Sequence, residues 1–336
     1  MSPARRTLTL ALLMFATAAG AWAQTPTYHA FLWSSASGMQ DLGSLGTSSY
    51  ANAINDAGEV VGYYETSSGN FRAFRWTSSG GLQDLGPASA EYAAANGINS
   101  RGEIVGAASA VPGTAVAVAW TPNGITHNLG TLGGTSSSAV AINDQGAVAG
   151  SAATKGSVQT VAFLWTPKTG MHSLGTLGSD YSYGYAVNSA GTVVGASPLD
   201  NAGTLSHAFI KQVGSKIADL GTLGGDMSNA LGVNASGQVV GWSWLTGNSP
   251  FHAFLWTQAS GMQDLGTLGG QNSAAEAINQ SGLIAGLSDL TQTGVTHAVL
   301  WTAPNKIQDL GTLGGTYSTA TAINNAGVVV GWSSLP

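Results

Sequence analysis

The pattern Asn-x-x-Gly-x-x-x-Gly occurs seven times at nearly constant spacing, and no other feature of the sequence constrains the fold as strongly. It starts at Asn55, Asn99, Asn143, Asn188, Asn234, Asn279 and Asn324, 44 to 46 residues apart. A Leu-Gly pair keeps the same rhythm from Leu42-Gly43 to Leu310-Gly311. Trp33, Trp76, Trp120, Trp165, Trp256 and Trp301 mark another position, where Lys211 stands once instead. Such a period means that each copy is one supersecondary unit, able to bury its apolar faces only by stacking on its neighbours. The 48 glycines would point to disorder in an aperiodic chain; the repeat excludes that reading.

Each unit carries four short strand signals, named A to D in order. Strand A reads Ala-x-Ala-Ile-Asn and strand B Val-Val-Gly. Strand C reads His-Ala-Phe-Leu-Trp and strand D Met-Gln-Asp-Leu-Gly. Asn and Gly between A and B supply the positive φ that a tight connection needs. No apolar stripe with a 3.6-residue period argues for helices, and a β-helix would use shorter repeats. The expected fold is therefore all-β: a seven-bladed β-propeller of four-stranded blades spanning residues 24–336. The flanks of the variable position in strand A are always small, as in Ala51/Ala53 and Ala230/Gly232, which suits the crowded axis and makes A the innermost strand. The chain begins with C and D and ends with A and B. The last blade is thus expected to close by two strands from each terminus, residues 317–333 against 29–43, which removes an exposed edge.

Residues 1–23 read as a signal peptide. Arg5 and Arg6 are followed by an apolar run over residues 8–22, and Ala21-Trp22-Ala23 fits a small-x-small cleavage site. The run is short for a membrane anchor, and no second apolar stretch follows. Cleavage leaves eight basic residues against sixteen acidic ones, a balance that argues against nucleic acid and anionic membranes. A secreted, extracellular or periplasmic monomer is expected. The absence of cysteine excludes thiol chemistry and disulfides.

His207-Ala208-Phe209, His252-Ala253-Phe254-Leu255-Trp256, Asp264-Leu265-Gly266-Thr267-Leu268-Gly269-Gly270 and Ala277-Ile278-Asn279 resemble the probable extracellular HAF repeat of bacterial exported proteins. The resemblance spans essentially all of residues 24–336. It implies export and brings no established activity. Some members carry a C-terminal sorting segment; the sequence ends on Trp332-Ser-Ser-Leu-Pro336 without one, so retention by that route is not expected.

Histidine at the start of strand C and aspartate on strand D could suggest acid–base chemistry. The repeats argue otherwise. His29/Asp41, Arg72/Asp84, His207/Asp219, His252/Asp264 and His297/Asp309 carry cation and carboxylate together, whereas Val116/Asn128 and Val161/Ser173 lack both. Joint loss marks contact, and five copies suit a cross-strand structural pair better than one catalytic site. His127 and His172 fall on the opposite face of strand D as solvated rim residues. No catalytic motif and no metal site is read from the sequence, and Asn234-Ala-Ser236 is a short glycosylation match of little specificity.

The connections are asymmetric. The D–A and B–C connections, with the adjoining A positions, gather acids and aromatics, while Arg101, Lys168, Lys216 and Lys306 lie on the others. The variable position of strand A holds Asn52, Asn96, Val140, Tyr185, Leu231, Glu276 or Thr321. A constant frame with variable residues near a central mouth marks a binding face. Its candidate residues are Asn52, Glu91, Tyr92, Tyr181, Tyr183, Tyr185, Asp226, Trp244, Glu276 and Tyr317. Acids beside aromatics suit a carbohydrate or protein ligand, with calcium as a conceivable ion and no other cofactor. Two alternatives stand beside this reading: a lyase or glycoside hydrolase acting through Glu276, Asp226 or Glu91, and an envelope protein with a purely structural role.

Overall fold

The computed structural model describes residues 26–86, 90–109, 114–121, 126–157 and 159–336, and every regular element among them is a β-strand. The signal segment expected at residues 1–23 lies outside the described residues. Within each repeat the strands pair antiparallel in chain order. Gly133–Ile142, Val148–Thr154, Thr160–Thr166 and Gly170–Ser173, for example, form one such sheet. Strands from the two ends share another, in which Tyr28–Ser34 pairs with Val329–Ser334, flanked by Gly38–Asp41 and Ser318–Ile323. The A strands touch one another in circular succession, the last (Ser318–Ile323) packing on the first (Ser48–Ile54).

The two glycines of the repeat have different duties. The first, as at Gly58, closes the A–B turn at φ 78°, in the left-handed region that favours glycine. The second faces a β-bulge. In every repeat the A strand slips by one residue against B at the variable position, as between Ala51 and Ala53. The slip drives a strand-A carbonyl onto strand B. A Cβ on Gly62 would sit 1.9 Å from the Tyr50 oxygen, and on Gly195 1.8 Å from that of Tyr183. Any larger residue would undo the bulge. The space left on the other side of the glycine is filled from strand C. Phe31, Phe74, Phe163, Phe209 and Phe254 lie opposite Gly331, Gly62, Gly150, Gly195 and Gly241, and all five rings are fully buried. Each contributes about 1.5–3 kcal/mol of apolar burial.

The repeat asparagine joins neighbouring sheets. Its Oδ1 accepts the backbone N–H that closes its own A–B turn, from Glu59, Glu103, Ala147, Thr192, Gln238, Leu283 and Val328 in turn. Its Nδ2 donates to the backbone carbonyl of the next asparagine at 2.8 to 3.3 Å. The sequence of bonds runs from Asn55 to Asn99 and onward to Asn324, which donates back to Asn55. Asn234 is fully buried in this chain of bonds, so its amide is committed and the glycosylation match does not stand.

A serine makes a second junction near the opposite end of strand A. Ser49, Ser137, Ser182, Ser228, Ser273 and Ser318 each accept a strand-C N–H of the preceding sheet and donate to the glycine carbonyl beyond its strand D. Ala93 takes that place once, and there a parallel bridge between Phe71 and Tyr92 links the sheets.

Candidate functional site

The bulge decides where the variable side chain goes. Asn52, Asn96, Val140, Tyr185, Leu231, Glu276 and Thr321 are the unpaired residues of the A strands, so they hold the same register position in strands that touch one another in succession. All seven keep partial solvent access, although residues beside them, such as Ala51 and Ala275, have none. Three of them tie off across the sheet junctions. Asn52 Nδ2 donates to Ala95 O and to Asn96 Oδ1, Asn96 Nδ2 donates to Ala139 O, and Thr321 Oγ1 donates to Ala51 O. Val140 and Leu231 have nothing to donate. Tyr185 stacks on Tyr183 with ring centres 6.3 Å apart, and Tyr181 meets Tyr183 edge-on at 6.0 Å. Glu276 is the one carboxylate at this level. Burial raises its carboxyl to about 7, and the Tyr185 hydroxyl is pushed above its ordinary value by burial and by the Glu276 charge.

A longer run of aromatic rings curves around the D–A and B–C side. Tyr317 stacks on Trp332 at 5.0 Å. Trp332 meets Tyr28 and Tyr50 edge-on at 5.1 and 5.4 Å, and Tyr50 stacks on Tyr63 at 4.8 Å. Phe71 continues the run from Tyr63 to Tyr92. Burial pushes the Tyr50 and Tyr92 hydroxyls up to about 12. The structure thus brings Tyr92 and Tyr317 into one arc, and Tyr181, Tyr183 and Tyr185 into another. Trp244 joins neither; among the described residues it makes no ring contact, whereas Trp242 packs on Phe251 at 5.6 Å. Sequence reasoning passed over Trp242, Trp332, Tyr63, Tyr28, Tyr50 and Phe71. The signal was present. The residue after the second glycine varies as widely as the bulge residue, from Ala107 and Ser151 to Tyr63, Trp242 and Trp332.

The other acids of this face are mostly engaged. Asp226 accepts from Asn248 Nδ2 at 2.5 Å, Asp180 from Asn201 at 3.0 Å, and Asp289 from Asn272 and Thr296, each at 2.8 Å. Glu91 is exposed. Tyr64 leaves the face altogether, its hydroxyl donating to Asp84.

The strand C–D cations and carboxylates lie in contact on the outer strands. His29, His207, His252 and His297 place Nδ1 within 2.7 to 2.9 Å of Asp41, Asp219, Asp264 and Asp309, and Arg72 reaches Asp84 at 2.8 Å. Each carboxylate also accepts the N–H of a glycine two residues on, as Asp264 does from Gly266. Burial alone would raise Asp219 and Asp264, but the histidine and glycine hydrogen bonds outweigh it and hold both below the ordinary aspartate value. Asn128 and Ser173 preserve the glycine bond where the cation is missing. Around Val161 and Ser173 the missing pair leaves an open cavity of ≈ 440 Å³ that also reaches Gln159 and Asp180. His127 and His172 are exposed, and among the described residues no group of three or more His, Asp or Glu gathers as for a metal ion.

No family model and no curated protein matches the sequence. Solved structures do. A TolB candidate from Agrobacterium tumefaciens aligns over 93% of this chain and 100% of its own at TM-score 0.54 and 9% identity. TolB from Acinetobacter baumannii aligns over 70% of this chain at TM-score 0.50 and 11% identity, and the match spans only 62% of that protein's length. At such identities the likeness shows the fold, an all-β fold of the β-propeller kind, and nothing of activity. No helix among the described residues is long and apolar enough to cross a membrane.

Proposed function

We propose that the chain is an exported, seven-bladed HAF-repeat propeller that binds a carbohydrate or protein ligand across its D–A and B–C mouth. The observation that carries this reading is the contrast at the bulge. One backbone device recurs seven times and presents six different side chains, beside an arc of seven aromatic rings from Tyr317 to Tyr92. Half-buried rings offer stacking faces at little entropic cost, and neighbouring carboxylates offer acceptors for hydroxyl groups. The seven-step chain of asparagine bonds and the shared sheet of the two ends support the blade number. The glycoside-hydrolase alternative needs a second carboxylate beside Glu276, but Asp226 is held by Asn248 and Glu91 is exposed.

The test is a glycan-array screen of residues 24–336, run with calcium and again with a chelator, followed by capture of protein partners from the producing cell's envelope. Binding of a defined glycan or protein that Trp332→Ala abolishes, with the circular-dichroism spectrum unchanged, is the expected result. Capture that is indifferent to Trp332, or none at all, would remove the mouth as the binding surface.

A further inference from the structure

The open cavity of ≈ 440 Å³ lies on the sheet of Gly133–Ile142 to Gly170–Ser173, among its outer strands and its B–C and D–A connections. Two departures from the repeat meet there. The first is the lost strand C–D pair. Val161 and Ser173 stand where His252 and Asp264 stand in their own sheet, and they leave open the space that an imidazole and a carboxylate take there. The second is in the D–A crossover. Thr131, Thr222, Thr267 and Thr312 each accept, on the hydroxyl, the N–H of the glycine two residues on. Thr176 holds the same place, and its side chain makes no hydrogen bond among the described residues. Ser179 stands where those four crossovers have a second glycine. A Cβ at Gly134, Gly225, Gly270 or Gly315 would run into the end of strand B, so the chain takes another course here and Ser179 bonds Tyr181. At Val116/Asn128, the other place without the pair, Thr131 stays tied into its crossover.

Neutral polar side chains dominate the lining: Thr154, Ser157, Gln159, Ser173 and Thr176. Those of Thr154, Gln159 and Thr176 make no hydrogen bond among the described residues. Ser157 and Ser173 each accept one backbone N–H, from Gln159 and Gly175, and keep their own O–H to give. Asn201 binds one oxygen of Asp180, and the other is unspent. Val161 supplies an apolar wall. This inventory selects a ligand class. No lysine, arginine or histidine among the described residues lines the cavity, so an anion meets a carboxylate and no cation. A calcium ion takes about six to eight oxygen ligands, carboxylates foremost, and one acidic side chain is present. An apolar molecule would strip water from the polar side chains and return nothing. A molecule whose hydroxyl groups both donate and accept, with an apolar face between them, answers every group present. The volume falls in the range of small-molecule sites, about 300–1,000 Å³.

We propose that the cavity beside Val161 and Ser173 is a subsite for one neutral sugar ring. Thr154, Gln159 and Thr176 bond its hydroxyl groups, Asp180 accepts one more, and Val161 lies against its C–H face. The site is separate from the aromatic arc, none of whose rings lines it, and it stands or falls independently of the mouth.

The experiment titrates residues 24–336 with D-glucose, D-galactose, D-mannose, D-xylose, L-fucose and N-acetyl-D-glucosamine in turn, followed by saturation-transfer NMR and calorimetry. Sodium glucuronate, glucosamine hydrochloride and acetamide serve as anionic, cationic and neutral-amide controls. Saturable binding of at least one of the neutral sugars is expected. The double change Val161→His/Ser173→Asp builds the pair of the other sheets into the cavity. It should keep the wild-type circular-dichroism spectrum and weaken the sugar by about tenfold or more. Thr176→Val, which removes one hydroxyl and fills nothing, should weaken it several-fold, and Trp332→Ala should leave it unchanged. No saturable binding of any of the sugars, equal binding by either cavity variant, or a control bound as tightly as the best sugar would each overturn the proposal. Loss of the sugar in Trp332→Ala would place it on the arc, overturning the subsite and leaving the mouth standing. A sugar unaffected by Trp332→Ala, with glycan and protein capture also indifferent to Trp332, would keep the subsite and remove the mouth.

Discussion

Two levels along strand A are built on opposite logics. At the A–B turn, seven copies of one residue make the same two hydrogen bonds, and each asparagine is nearly or fully buried. Three residues earlier on each strand, seven copies of one backbone bulge present seven side chains of five chemical kinds. An interaction that must close a ring cannot vary, because each member is both donor to the next unit and acceptor from the one before. A bulge fixed by its facing glycine leaves its side chain free. Stability is therefore concentrated at one level of the strand and individuality at the next, and the same repeat encodes both.

The comparison can be broken most severely at the ends of the chain. Deleting residues 317–336 removes the strands that pair with Tyr28–Ser34, exposing two sheet edges and interrupting the asparagine chain at Asn324. The product should be unfolded or aggregated by size-exclusion chromatography and circular dichroism; a folded monomer would show that the shared sheet is dispensable.

A milder break tests the constant level against the variable one. Asn188→Ala strands the Asn234 carbonyl and the Thr192 N–H in a buried site, which should cost about 3 kcal/mol in urea unfolding. The same change at Asn52, a partly solvated residue bonded to the neighbouring strand A, should cost about 1 kcal/mol or less. Equal losses would erase the distinction between the levels.

An effect smaller than that of Asn188 has the opposite sign. Glu276 has its carboxyl raised to about 7 in the folded protein, above the value in the unfolded chain. The folded state then holds its proton more tightly, so this contribution to stability is full at low pH and is lost as the pH rises through 7. Glu276→Gln removes that loss. It should stabilise the protein at pH 8 by about 1–2 kcal/mol, the partial solvent access of Glu276 moderating the effect, and by little at pH 5. A Glu276→Gln variant no more stable than wild type at pH 8 would place the carboxylate in ordinary solvent.

Much of this was legible before any coordinates. Strand order within each unit, the small flanks of strand A and the joint loss of cation and carboxylate at Val116/Asn128 and Val161/Ser173 are properties of aligned repeats, and internal repetition gave the single sequence its own alignment. The site was less legible. Trp244 was chosen for its type and connection, yet the ring that packs is Trp242, two residues earlier on the same strand. Tyr64 and Tyr63 are adjacent on strand B, and its alternation turns Tyr64 toward Asp84 while Tyr63 joins the arc. The parity of a strand with a bulged neighbour cannot be read until the bulge is placed.

By itself the sequence determined the period, the four strands of each unit, the turns that only Asn and Gly satisfy and the positions allowed to vary, because all of these are local and repeat. Only the tertiary structure decided that the second glycine exists to admit a neighbouring carbonyl and that the asparagines bond one sheet to the next. It alone left Glu276 without a partner. Those facts depend on which groups from separate strands arrive at the same place, and whether a buried charge finds a partner is settled by that meeting.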